Sequence, residues 1–600
     1  MGKSNPEYLK TVPGLFVDMN MVSNVQKTKG GSEVETIGNA RRKNFLRILL
    51  IAIALVIVFG LFFLPLFKVV VMSVTGPEGF TLAVFKKLLT SKKMMRVLKN
   101  TMYINIMSSF FAAVIGVIIS YFMAYTDIRG KRALNLVALI PLVIPGYILT
   151  LAWMQLFATN GSFAMALRNY FPNIKMPNIY SYTGIIFVFA VTKYPVIYTL
   201  TLTTFRKIST DMELAAAVSG CNKIQTFFKI TLPMSLSGLA NGLLLVFISC
   251  LDNFGTVAFL GIPARITVLS TDIYQSVVSF SGNNFSEASA KSVILGLIAV
   301  VFSLLLWRIA KKFETMQTDL EDFTPRIFLG KKKIFVEVLL WALLIVINFV
   351  PLITMFLTSL VKGLGVGYTL SNFTFDNFKQ ILGTAKSMNA IYNSIKLAFA
   401  TSLICLVIGT LVAYILVRRP GRLIKIVESI ISIPYSIPGI ILGLALILTW
   451  AAPLPFIHKT IYATVFMLLV SYVVRFTSLQ IRYSSTAVLQ LDISMEDAAT
   501  ICGTDLIRKW IKIIIPLISP AMLSGVGMVF ISALTELTTS SLLWSAGSET
   551  IGVVVYNYTS AGYMTTASAM STIVLFTLAI LYGGFSLISF VLRRISERLV

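Results

Sequence analysis

Charge is what this 600-residue sequence has least of: only 13% of its residues are Asp, Glu, Lys or Arg, against 56% hydrophobic, and the mean hydropathy is +0.84. Soluble domains carry about 25% charged residues to cover a water-facing surface, so a water-soluble fold of this size is excluded. Histidine occurs once, at His458, and cysteine four times, at Cys221, Cys250, Cys405 and Cys502. No CxxC or Cys/His spacing joins them, so neither a disulfide framework nor a zinc site is expected and no metal ligand is assigned. A G-x-x-x-x-G-K-[ST] phosphate loop is also missing. Gly2-Lys3-Ser4 has no upstream glycine, and a chain without that cradle cannot hydrolyse ATP alone. With no nucleophile–base constellation either, no catalytic residue is assigned and an enzymatic role is rejected. The first 40 residues are polar and the first apolar run begins near Leu46, so a cleavable signal is not expected.

What the chain does have is long apolar runs. A helix needs about 20 apolar residues to cross the hydrocarbon core. Runs of that length lie near 46–74, 101–125, 134–158, 183–205, 236–260 and 292–310, then near 334–360, 395–417, 427–451, 461–481, 518–540 and 571–592. The alternation of a β-barrel is absent, so the expected fold is an all-α polytopic membrane protein with about twelve spans. The net charge of +26 comes from basic residues that punctuate these runs, which reads as positive-inside topology rather than nucleic-acid binding. Arg41, Arg42 and Lys43, then Arg129, Lys131 and Arg132, then Arg418, Arg419, Arg422 and Lys425, and finally Arg593 and Arg594, fall on one side if both termini are cytoplasmic. Lys86, Lys87, Lys92, Lys93, Arg96 and Lys99 would lie outside, and read as a surface amphipathic segment. The charged stretch 313–333 separates two six-span halves, giving an extension 1–45, a first domain 46–312, that linker, and a second domain 334–600.

The halves are related by a direct repeat. Residues 212–233 read MELAAAVSGCNKIQTFFKITLP and residues 495–516 read MEDAATICGTDLIRKWIKIIIP, aligned without a gap at an offset of 283. IPLVIPG at 140–146 echoes IPYSIPG at 433–439. Same topology with direct repetition means parallel rather than inverted repeats. Each long element reads as a helix–turn–helix at the membrane surface. Glu213 and Glu496 suit a helix N-terminus, Ala215, Ala216, Ala498 and Ala499 allow close approach, and Gly220 and Gly503 permit the turn. Two such elements call for a partner with two equivalent seats.

The spacing Ala-Ala, three residues, Gly, nine residues, Ile and then Pro resembles the Glu-Ala-Ala signature of the permease subunits of binding-protein-dependent ABC importers. The first copy departs from it at Leu214 and the second keeps an acid, Asp497, at the family's glutamate position, while Glu213 and Glu496 stand one residue earlier. The resemblance implies the MetI-like transmembrane fold in a bacterial inner membrane, two copies of a separate ATPase carrying ATP and Mg, and an extracytoplasmic solute-binding protein. It also implies that Glu213, Ala215, Ala216, Gly220, Glu496, Asp497, Ala498, Ala499 and Gly503 dock the ATPase. No cofactor is expected on this chain. Fusion of both halves, with DNFGTVAFLG (252–261) and ELTTSSLLWSAGSETIGVVVYNY (536–558), looks most like the iron(III) subgroup. Importers of 2-aminoethylphosphonate and thiamine are the alternatives within the class; outside it stand a secondary transporter, then a channel and a purely structural membrane scaffold.

Four ionisable residues fall inside spans, where a charge costs about 2.5–3.5 kcal/mol on insertion scales and normally meets a partner or water. They are Lys193, Asp252, Arg475 and Glu536. They recur at nearly equal offsets, 282 for the bases and 284 for the acids, which predicts one base–acid pair within each half, Lys193 with Asp252 and Arg475 with Glu536, along the translocation path or locking helices. Pro145-Gly146 and Pro438-Gly439 are expected to kink the third span of each half and are hinge candidates.

Overall fold

The computed structural model describes residues 52–76, 79–173, 175–279, 284–313, 321–452 and 460–599. The described residues from Gly60 onward form one compact unit. Gly2-Lys3-Ser4, the first basic cluster and His458 lie outside the described residues.

Among the described residues nine helices are long and apolar enough to cross a membrane, and three bent pairs raise the number to twelve. In the first half the principal helices are α1 (Ala52–Ser73), α2 (Lys92–Tyr125), α3 (Lys131–Val143), α4 (Gly146–Phe157), α5 (Tyr182–Arg206), α6 (Thr210–Val218), α7 (Leu236–Asp252), α8 (Phe254–Gly261) and α9 (Asn284–Phe313). The second half has α10 (Lys333–Asn348), α11 (Val350–Ser359), α12 (Ala385–Arg418), α13 (Arg422–Ser436), α14 (Gly439–Trp450), α15 (Val465–Gln490), α16 (Ile493–Ile501), α17 (Ile515–Leu534) and α18 (Met564–Leu599).

The repeat is visible in the packing. In each half a 34-residue helix, α2 or α12, packs along α5 or α15. Close approach is possible because Gly116 and Gly409 face the partner helix: a Cβ on Gly116 would sit 2.9 Å from the Tyr198 nitrogen, and one on Gly409 2.8 Å from Gln480 Cβ. Hydroxyl caps fix the start of the partner helix. Ser181 accepts from the Gly184 N–H and Thr464 from the Met467 N–H.

Two expectations change. Lys92, Lys93, Arg96 and Lys99 belong to the first turns of α2, capped by Ser91, and only Lys86 and Lys87 lie in the separate helix Ala83–Thr90. A 34-residue helix is about 51 Å long against a hydrocarbon core of about 30 Å, so these cations stand beyond the core on the spanning helix itself. The third spans, moreover, are not kinked but broken. α3 and α4 meet at 102°, and α13 and α14 at 112°. Ile144 and Ile437, each just before a proline, are extended, the conformation that the proline ring favours for the residue before it. Pro145 and Pro438 then cap the second arm, their carbonyls accepting from Ile148 and Leu149, and from Ile441 and Leu442. Pro141 and Pro434, four residues earlier, are carried inside α3 and α13 without a break. The second arms tie the halves together: α11 packs on α4, and Leu64–Ser73 of the first span packs on α14.

Candidate functional site

The breaks at Pro145 and Pro438 bring two helix starts to one cavity of about 370 Å³ between the halves. All four intramembrane ionisable residues line it, together with Gly146, Asn253 and Thr535.

Their pairing is not one pair per half. The Arg475 guanidinium donates through Nη2 to Asp252 Oδ2 at 2.6 Å, across the two halves, and through Nη1 to Thr539 Oγ1 at 2.9 Å. Glu536 Oε1 lies 3.6 Å from Arg475 Nη1, so the second-half pair forms but shares its cation. Asp252 Oδ1 accepts from the Gly439 N–H at 2.6 Å, at the start of α14. Glu536 is held by its own downstream backbone, accepting from Thr539 N–H and Ser540 N–H at 2.8 and 2.9 Å. Lys193 makes no ion pair or hydrogen bond among the described residues, although its span faces the same cavity.

The register explains the asymmetry. The capped starts of α5 and α15 are 283 positions apart, which sets Arg475 opposite Thr192, Lys193 opposite Phe476, and Asp252 opposite Thr535. The charges therefore do not repeat, although their similar spacing along the chain made them look as if they did. Gly439 is required beside Arg475, because a Cβ there would overlap the guanidinium, whereas a Cβ on Gly146 would sit 2.9 Å from Asn253 Nδ2.

The two repeat elements follow directly on α5 and α15. α6 is capped by Ser209 and α16 by Asp492, each accepting from an N–H two residues on. Both end in the same way: Gly220 and Gly503 have φ of 83° and 74°, and Cys221 N–H and Thr504 N–H return to the Ala216 and Ala499 carbonyls at 3.0 Å. The alanine pairs split. Ala216 and Ala499 are buried against the chain's own helices, while Ala215 and Ala498 face outward with Leu214, Asp497, Val218 and Ile501. The two glutamates also turn inward. Glu213 accepts from Arg326 Nη1 at 3.1 Å and from Thr231 Oγ1 at 2.7 Å; Glu496 accepts from Arg418 Nε at 2.7 Å and from Tyr414 OH at 2.6 Å. Thus the position just before the alanine pair, Leu214 or Asp497, is outward in both copies. Helical phase makes this legible in principle, but Arg326 and Arg418 carry no motif that would have flagged them.

The family described as "binding-protein-dependent transport system inner membrane component" matches residues 116–315 and again 405–600. The chain belongs to this family. It is a permease subunit of an ABC importer, an all-α multi-pass membrane protein with one copy of the family domain in each half. This permease is 24% identical over 542 residues to the ferric transport system permease protein FbpB of Actinobacillus pleuropneumoniae, covering 88% of this chain and 76% of that one. It is 21% identical to the Fe(3+)-transport system permease protein FbpB 2 of Haemophilus influenzae, over 84% of this chain and 92% of that one. A candidate 2-aminoethylphosphonate transport system permease protein of Salmonella paratyphi A is 23% identical over 44% of this chain and 90% of its own.

Proposed function

We propose that this permease forms the alternating-access pathway for iron(III) handed over by an extracytoplasmic binding protein, driven by two copies of an ATPase that seat on α6 and α16. One observation carries the substrate: the relatives named for ferric transport match across both halves, whereas the phosphonate relative matches 44% of the chain. The paired outward faces of α6 and α16, with exposed Leu214, Val218 and Ile501 against Asp497, support two equivalent seats. On this reading ATP and Mg stay on the partner, the α6 and α16 end is cytoplasmic, and the membrane is the bacterial inner membrane.

The cavity supports a mechanism at residue level. Asp252 joins Arg475 and the Gly439 N–H of the opposite half, so any motion that parts the halves must break both contacts. Breaking a charge pair in a site of low polarity is costly unless water or substrate replaces it. The pair thus acts as a latch whose opening is coupled to ATPase closure, with the bent joints at Pro145-Gly146 and Pro438-Gly439 as its hinges. A second reading has one observation in its favour. The Lys193 amine on the cavity, without an ion pair among the described residues, is chemistry suited to a small oxyanion such as a phosphonate.

Uptake of radiolabelled iron(III) in a strain lacking the chain, restored by the gene and blocked by vanadate, is the expected outcome. Restored growth on 2-aminoethylphosphonate as phosphorus source with no iron uptake would overturn the iron reading in favour of the second.

A further inference from the structure

The stretch 321–333, expected to be a solvated spacer between the halves, is laid along the first half through specific contacts. Asp322 N–H donates to the Arg206 carbonyl at 2.8 Å, and its Oδ2 accepts from Thr210 Oγ1 at 2.8 Å, at the start of α6. Arg326 and Ile327 N–H groups both reach the Tyr125 carbonyl, at 2.8 and 2.9 Å. Asp127 Oδ1 accepts from Leu329 N–H at 3.0 Å and its Oδ2 pairs with Lys333 at 3.0 Å. The Asp322 and Asp127 carboxyls are held below the usual carboxylate range, Asp322 first by the Thr324 hydroxyl and backbone and Asp127 first by the Leu329 N–H.

Arg326 sits at the centre of this strap and repeats, contact for contact, what Arg418 does in the second half. Arg418 Nε binds Glu496 and its Nη2 binds the Leu491 carbonyl, both at 2.7 Å. Arg326 Nη1 binds Glu213 at 3.1 Å and its Nη2 binds the Ile208 carbonyl at 2.6 Å. Glu213 and Glu496 are 283 positions apart, and so are Ile208 and Leu491. The acceptors are therefore repeat equivalents. The donors are not: Arg418 is the last residue of α12, and at the end of the equivalent α2 stands Tyr125. The Arg326 guanidinium lies over that ring, 4.9 Å from its centroid, so the linker brings its arginine beside the position where α12 carries its own. Both arginines are buried or nearly so, with side-chain exposures of 8% and 12%. A buried pair of this kind fixes geometry because losing one partner strands the other.

We infer that the linker is part of the coupling apparatus: Arg326 is a positioning residue that clamps α6 to the first half through Glu213 and Ile208, substituting in sequence for the arginine that Arg418 supplies to α16. The intramolecular clamp stands on the contacts alone; its effect on transport rests on the docking role proposed above for α6 and α16.

The test uses the full chain, first alone in detergent and then assembled with its ATPase and binding protein. In the chain alone, R326A is expected to speed amide hydrogen exchange across Thr210–Val218 by about tenfold and leave Ile493–Ile501 unchanged, with R418A doing the reverse. R326A and Glu213→Gln should be non-additive in a double-mutant cycle. The decisive variant is R326A combined with Tyr125→Arg, which returns the arginine to the position the second half uses and should restore protection of α6. In the assembled importer, R326A is expected to lower uptake per ATP hydrolysed, and the Tyr125→Arg combination to recover it, which a merely global loss of stability would not do. Unchanged exchange in R326A, or loosening that spreads to Ile493–Ile501 and is not rescued, would overturn the clamp. Loosening and rescue of α6 with uptake per ATP constant throughout would leave the clamp standing and overturn the docking role instead.

Discussion

In the second half the glutamate of the docking helix is held by Arg418 at the end of α12, and the acid of the cavity by Arg475 of α15. In the first half neither acid pairs with a local cation among the described residues. Glu213 receives its arginine from the linker, and Asp252 receives its arginine from the other half. The backbone repeat is faithful in both places, down to capped helix starts and positive-φ glycines, while the charges that complete it are unequally distributed. The first half depends on cations supplied from outside it, and the second does not. A fused chain can hold such an arrangement in place, because the linker delivers Arg326 at every moment rather than by encounter.

The largest expected effect follows from this inequality. Arg475→Ala would leave Asp252 and Glu536 without a cation, on backbone and hydroxyl donors alone; removing one partner of a fully buried pair costs about 3–5 kcal/mol, and the part-exposed Asp252 makes the cost here smaller. Uptake should be abolished and thermal stability of the purified chain lowered. Lys193→Ala, which removes a cation without a partner, should leave stability nearly unchanged. Equal destabilisation by the two would break the comparison. In double-mutant cycles Arg475→Ala with Asp252→Ala should be non-additive, and Lys193→Ala with Asp252→Ala additive.

Next comes a glycine pair. Gly439→Ala places a methyl group where the Arg475 guanidinium lies, and should cost well over the effect of Gly146→Ala, whose methyl meets only the movable Asn253 amide. Measured by uptake at matched surface expression, similar losses would show that the break itself, rather than the room left for Arg475, requires glycine at both sites.

At the turns, Gly220→Val and Gly503→Val force a β-branched residue to positive φ, a strain of roughly 1–2 kcal/mol, with open space around each Cβ. ATPase association and uptake should fall together, more at the second copy, whose outward acid Asp497 keeps the family's position. A double valine variant that binds the ATPase and transports normally would refute the docking assignment. Leucine at Ala216 or Ala499 should instead loosen the docking helix from its own half, while leucine at Ala215 or Ala498 should block the seat with the helix in place; pull-down with the ATPase after hydrogen exchange separates the two.

The smallest effect is that of pH. Asp322 has a depressed folded pKa, so its contribution to strap docking is present above the unfolded value of about 3.9 and lost only as pH falls through the folded one. A spin-label distance between the strap and α6 should therefore be constant from pH 8 to pH 5. Loosening within that window would point to another titrating group.

Composition and run length alone determined that this chain spans a membrane many times, because apolar length and scarce charge are local properties that no folding can hide. The motif spacing determined the repeat, the two surface helix–turn–helices and the glycines at their turns, since a turn's backbone demand is met within a few residues. Only the tertiary structure decided which charge meets which. Arg475 and Asp252 lie 223 positions apart, and Arg326 and Glu213 lie 113 apart, so their contacts depend on how separate helices come together. A one-residue shift in register was enough to turn a pattern that looked like two pairs into one shared cation and one lysine that makes no ion pair among the described residues. The same holds for the breaks at Pro145 and Pro438. Proline announces a disturbance in the helix, but Pro141 and Pro434 pass without one; only the structure shows that the chain breaks at Pro145 and Pro438, where the second arms pack against the opposite half.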